Sequence, residues 1–253
     1  MTPFAQDSLS ILGIRVENFD SYDNAVQFIR QRISSHQRTF CIAINSEKIA
    51  RANHDPRLSR VLDSAHVRIC DSVGVSLASM LFYRRRMPRC TGIDLFLRLI
   101  RLSAEEGWRV FLLGASAQSN QAACRALMDR FPGLRIAGSH HGYFEDCAEV
   151  VERINESGAE LLFVAMGSPR QEFWISEQMP RLNTTFCMGI GGSLDVVSGQ
   201  VKRAPAFFQK TGTEWLFRLL LQPSRIPRYV PACHFALDVL KAMVRSHSPG
   251  VSK

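Results

Sequence analysis

The feature that most limits the fold is a set of short, continuous apolar runs. They are Thr39–Ile44, Val67–Cys70, Trp108–Gly114, Glu160–Met166 and Thr185–Ile190. A strand with one wet face alternates apolar and polar residues, whereas these runs do not, which marks strands covered on both faces. Segments with helical spacing separate them. Asp20–Arg32 sets Ala25, Val26, Phe28 and Ile29 to one side, and Thr91 with Asp94 three residues on reads as a capped helix start running to about Glu106. Further helices are expected around Arg57–Ser64, Val75–Met80, Gln118–Arg130 and Glu145–Ser157. Ile11–Val16 reads as one edge strand, and Leu134–Ala137 as a short strand before a loop, Ser139–Phe144. The alternation predicts a Rossmann-like α/β core with a mostly parallel sheet and helices on both faces.

The pattern changes near Gln200. Nine Lys and Arg against two acids give residues 201–253 a charge of +7, out of +8 for the whole chain. Phe207, Phe208, Trp215 and Leu219–Leu221 interleave with these charges, and Pro223, Pro227 and Pro231 are expected to break helices before a final one over about Ala232–Arg245. We therefore expect a catalytic core over residues 1–200 and a small basic, apolar, helical appendage over 201–253. A basic segment needs an anionic partner, and amphipathic spacing around Arg218 favours a membrane surface over nucleic acid. The seven cysteines form no C-x-x-C pair and read as reduced core thiols of a cytoplasmic protein. The N-terminus shows no secretory signal pattern, and no apolar run is long enough to span a membrane.

In a parallel sheet every strand ends on the same edge, and ligands bind there. The residues brought to that edge are Asn45, Asp71, Gly114, the segment Gly167–Glu172 and the segment Gly191–Asp195. Taken alone, Asp71 reads most simply as the cap of the next helix. Glycines at strand ends admit a phosphate, which suits a nucleotide or nucleotide-sugar. Neither G-x-G-x-x-G nor a P-loop occurs. No metal-ligand cluster and no D-x-D is present, and adjacent His140 and His141 should point apart. The charge of a diphosphate would then fall to arginines, lysines and helix ends, with Arg89, Lys202 and Arg203 as candidates. No cofactor is implied.

Six stretches, in this order and spacing, resemble the WecG/TagA/CpsF family of bacterial glycosyltransferases. They are Ala43–Lys48, Cys70–Val75, Arg89–Leu95, Met166–Glu172, Gly189–Asp195 and Val201–Pro205, continued by Glu214–Leu220. The resemblance covers about residues 10 to 230. It implies inverting, metal-independent transfer from a UDP-sugar to a polyprenyl-diphosphate-linked sugar, at the cytoplasmic face of the membrane. Asp71 matches the family's proposed general base. Asn45, Gly114, Tyr143, Gly167, Gln171, Glu172, Gly191, Gly192 and Asp195 fall on the donor side. Arg89, Arg218, Arg225 and Arg228 fall on the acceptor and diphosphate side. Two positions depart from many relatives: Ala43 where Thr is common, and Ser72 where Gly is common. Ala43-Ile44-Asn45-x-Glu47-Lys48 is closer to the aminouronic-acid (WecG) branch, with N-acetylmannosamine and glucose donors as alternatives. A non-catalytic nucleotide-sugar-binding protein with a membrane-docking tail is the rival reading, and a nucleic-acid-binding protein the less favoured one. Off the membrane, the apolar tail would promote homo-oligomers.

Overall fold

The computed structural model describes residues 7–221 and 226–247. A two-stranded antiparallel hairpin, β1 (Ser8–Ile11) and β2 (Ile14–Glu17), precedes helix α1 (Tyr22–Ser34). The expected single edge strand is thus two strands, because Leu12 and Gly13 both take positive φ and reverse the chain. Glu17 fastens the hairpin to the core. Its carboxylate accepts from the Arg68 backbone N–H, and from the Arg68 guanidinium at 2.6 Å, both side chains being buried.

The main sheet has six parallel strands in the order β4-β3-β8-β7-β5-β6. These are β3 (Thr39–Ile44), β4 (Val67–Cys70), β5 (Arg109–Gly114), β6 (Arg135–His140), β7 (Leu161–Ala165) and β8 (Phe186–Gly189). Strands β3, β4, β7 and β8 are buried at every residue, as strands covered on both faces must be; in β4 this includes Arg68, whose charge Glu17 meets. The expected α/β architecture is therefore present. Strand β6 runs through His140 instead of ending near Ala137, since an edge strand tolerates half-exposed Gly138, Ser139 and His140. The rings of His140 and His141 lie 4.3 Å apart, against the expectation that they diverge.

Alternate residues feed two cores. On one face Ile42, Ile44, Phe111, Leu162 and Val164 pack under α2 (Ser46–Ala52), α3 (Pro56–Ser64), α7 (Cys147–Glu156) and α8 (Arg170–Gln178). On the other, Ala43, Val110, Leu112, Phe163 and Met188 pack under α1, α5 (Gly92–Glu106), α6 (Ala117–Arg130) and α9 (Ser193–Val197). Helix α4 (Val73–Tyr83) joins the first face through Val75 and Ala78.

Beyond Ala204 come α10 (Ala206–Thr211), α11 (Glu214–Leu221) and α12 (Ile226–His247). The prolines do not break the last of these. Pro227 falls in its first turn, where the N–H would be unpaired anyway, and Pro231 is carried inside it. Packing overrides the local penalty: α12 buries Phe235 and Val239 in the core of the first face. Five cysteines are buried and Cys147 is half-buried, but Cys233 is exposed on α12 rather than in the core.

Candidate active site

Every strand of the main sheet ends on one edge. The helices after β3 and β7 lie on one face, and the helix after β8 lies on the other. The end of β8 is therefore a switch point of the kind where parallel α/β sheets take ligands. Gly191 and Gly192 form that end. Gly191 has φ +54°, and an added Cβ there, or at Gly167 (φ +78°) beyond β7, would meet nothing within 4 Å. Both turns leave room for a ligand. Gly114 is glycine for a different reason: at φ +125°, a Cβ would come within 2.4 Å of the Ala165 carbonyl oxygen.

Asp71 follows β4 and is half-buried. It does not cap its own helix. Ser72 does, its Oγ accepting from Val75 N–H at 3.3 Å. Asp71 Oδ1 instead accepts from Gly92 N–H, the first residue of α5, at 2.8 Å. No hydrogen bond engages Oδ2 among the described residues. Cys90 N–H donates to the Cys70 carbonyl at 2.7 Å, which lays Arg89–Gly92 against the end of β4. Arg89 donates to Gln209 O at 3.0 Å and pairs with Glu214 at 3.5 Å, so residues at the α10–α11 corner reach the site. Arg203 pairs with Asp94, whose other oxygen accepts from Thr91 Oγ1 at 2.6 Å. A groove of about 1170 Å³ begins here, lined in part by Arg89, Thr91, Asp94, Arg98 and Arg203. Tyr22 in its wall has its phenol pKa pushed far up by burial and then by neighbouring Cys90 and Asp94.

The donor-side candidates separate into two groups. Asn45 caps α2, its Oδ1 accepting from Lys48 N–H at 2.9 Å. Gln171 and Glu172 are buried and bonded inside the protein. Tyr143 is 74% exposed, on the loop after β6. Asp195 is half-buried on α9, one turn from Gly191 and Gly192. Arg225 lies outside the described residues, as do the side chains of Arg218 on α11 and Arg228 on α12. Sequence reasoning missed Glu214 and Lys48 as site-building residues. Both lie inside quoted motifs, but their partners are far away in sequence.

The family model of the glycosyl transferase WecG/TagA/CpsF family matches residues 9–249. The chain belongs to this family. Membership makes it a glycosyltransferase. A Bacillus spizizenii protein named N-acetylglucosaminyldiphosphoundecaprenol N-acetyl-beta-D-mannosaminyltransferase is 35% identical over 227 residues, covering 87% of each chain. A Bacillus subtilis (strain 168) protein of the same name is 33% identical over 198 residues, covering 78% of this chain and 77% of the relative.

Proposed function

We propose that this glycosyltransferase moves a sugar from a UDP-sugar to N-acetylglucosamine carried on a polyprenyl diphosphate, with inversion and without a metal. The observation that carries it is the state of Asp71. One carboxylate oxygen is fixed on Gly92 N–H and the other is left for a substrate. That oxygen takes the proton of the acceptor hydroxyl as the hydroxyl oxygen attacks the anomeric carbon. UDP departs from the opposite side, carrying the bonding electron pair. The acceptor's diphosphate belongs beside Arg89, and the family resemblance adds Arg218, Arg225 and Arg228 of the appendage to its partners. The donor nucleotide lies over Gly167 and Gly191–Gly192, where the backbone is open.

The relatives' names support N-acetylmannosamine as the sugar transferred. The Ala43–Lys48 motif supports its uronic acid as the second reading. Among the described residues no helix is long and apolar enough to cross a membrane. Exposed Phe207, Trp215 and Leu220 on the basic appendage support docking on an anionic membrane surface, at the inner face where UDP-sugars are available.

The test is transfer by purified protein to a short-chain polyprenyl-diphosphate N-acetylglucosamine, with both donors, in chelator. Product from one donor establishes reaction and donor together. UDP binding without product from either donor would favour a non-catalytic binding protein.

A further inference from the structure

A buried ion pair that the transfer chemistry does not use lies beneath the Gly191–Gly192 turn. Lys48 is 5% exposed and Glu172 1%, with Nζ and Oε1 3.2 Å apart. Lys48 stands on α2, after β3, and Glu172 on α8, after β7. A buried pair of this kind loses much of its attraction to desolvation and is weak as a source of stability.

The hydrogen bonds give it another use. Lys48 Nζ also donates to the Ala43 carbonyl at 2.8 Å, which fixes the ammonium. Glu172 Oε1 accepts a second bond, from Gln171 Nε2 at 2.9 Å. An amide held by its NH2 group on a carboxylate can present only its oxygen at the other end. Gln171 Oε1 duly accepts from Gly191 N–H at 2.9 Å. Gln171 can lie flat on β8 because residue 189 is glycine, where a Cβ would come within 2.4 Å of Nε2. The chain Lys48–Glu172–Gln171 thus ends on one N–H of a turn whose outer side is open.

We propose that Lys48 and Glu172 are positioning residues of the donor site. They orient the Gln171 amide, and through it they hold the Gly191–Gly192 turn in the shape that receives the donor nucleotide. Neither touches substrate. The inference rests on the UDP-sugar reading above for the identity of the ligand, but not for the hold on the turn.

Two double variants test it. Both carry Lys48→Met, which removes the charge. One adds Glu172→Gln, which keeps an acceptor for Gln171 Nε2, and the other adds Glu172→Leu, which does not. Hydrogen exchange at Gly191 and UDP affinity are measured beside Tm. Lys48→Met/Glu172→Gln should lie between the parent and the second variant in both readouts, since an acceptor for Gln171 Nε2 remains but no carboxylate enforces it. Lys48→Met/Glu172→Leu should exchange Gly191 at least about tenfold faster and bind UDP about tenfold more weakly, the ratio expected for one lost hydrogen bond. A purely structural pair would lower Tm without separating the two variants, and equal exchange and affinity would overturn the proposal. Gln171→Met covers the case in which a double variant does not fold. It must reproduce the faster exchange with the ion pair intact, and parent-like exchange would also overturn the proposal. If the parent protein fails to bind UDP, the donor reading falls, while the exchange contrast still decides whether the pair holds the turn.

Discussion

Gly92 donates its backbone N–H to Asp71 Oδ1 at 2.8 Å, joining the end of β4 to the start of α5. The carboxylate is thereby oriented by a neighbouring helix, not by the one that follows it. A base held on one oxygen keeps the other aimed and needs no reorganisation when the acceptor arrives.

Asp71→Asn keeps an oxygen for the Gly92 N–H, so we expect its stability to stay within about 1 kcal/mol of the parent. The amide cannot take a proton from the acceptor hydroxyl. Transfer should fall by about 10²- to 10⁴-fold, with UDP affinity retained. Initial rates, UDP titration and thermal melts on the same preparation check this. A variant that transfers at the parental rate would remove Asp71 from the role of base.

Arg89 ties the core to the appendage through the Gln209 carbonyl and Glu214. On the proposed acceptor reading, in which Arg89 makes a charge-assisted contact to the diphosphate, Arg89→Met should raise the acceptor KM by about tenfold or more. The same change should speed proteolytic cleavage near residues 205–213. Unchanged cleavage with raised KM would mean that Arg89 serves the acceptor alone and does not secure the corner.

The sheet was legible because its strands are covered on both faces, and an uninterrupted apolar run such as Leu161–Ala165 has few other homes. The hairpin was not, since Leu12-Gly13 lacks the Asn-Gly or Asp-Gly signal of a tight turn. Local propensity predicts a break of α12 at Pro231 because it ignores Phe235 and Val239, which anchor the helix in the core. For the site, strand ends place Asp71 and Gly191 on one edge by topology alone. The pairings Asp71–Gly92, Arg89–Glu214 and Lys48–Glu172 depend on how separate elements pack, and spacing carries no record of that.

Glu17 and Arg68 form a buried pair that holds the β1–β2 hairpin on β4. Glu17→Ala leaves the Arg68 charge without its carboxylate and the Arg68 backbone N–H without its acceptor, although Nη1 keeps the Leu62, Asp63 and Ala65 carbonyls. We expect a loss of about 3–5 kcal/mol, as for other buried pairs broken on one side. A denaturant titration measures it. Glu17→Ala together with Arg68→Met should recover part of the loss, because no unpaired charge then remains. A double variant as unstable as Glu17→Ala would show that the hairpin depends on the backbone bond rather than on charge pairing.

His66 gives the stability a pH dependence with a definite sign. Its Nδ1 accepts from Phe40 N–H at 3.1 Å, which requires an unprotonated nitrogen. Burial, and then Arg32, Arg68 and Arg38, lower its pKa from the ordinary 6.5. The unfolded chain therefore binds more protons than the folded one between 6.5 and that lower value. The contribution of His66 is complete above pH 6.5 and is lost as pH falls toward the folded pKa. Carboxylates act in the same direction at lower pH, so the measurement has to be a difference. His66→Asn offers Phe40 an oxygen that does not titrate. Between about pH 6.5 and pH 5, its Tm should fall less steeply than that of the parent. Parallel curves would place the titrating group elsewhere.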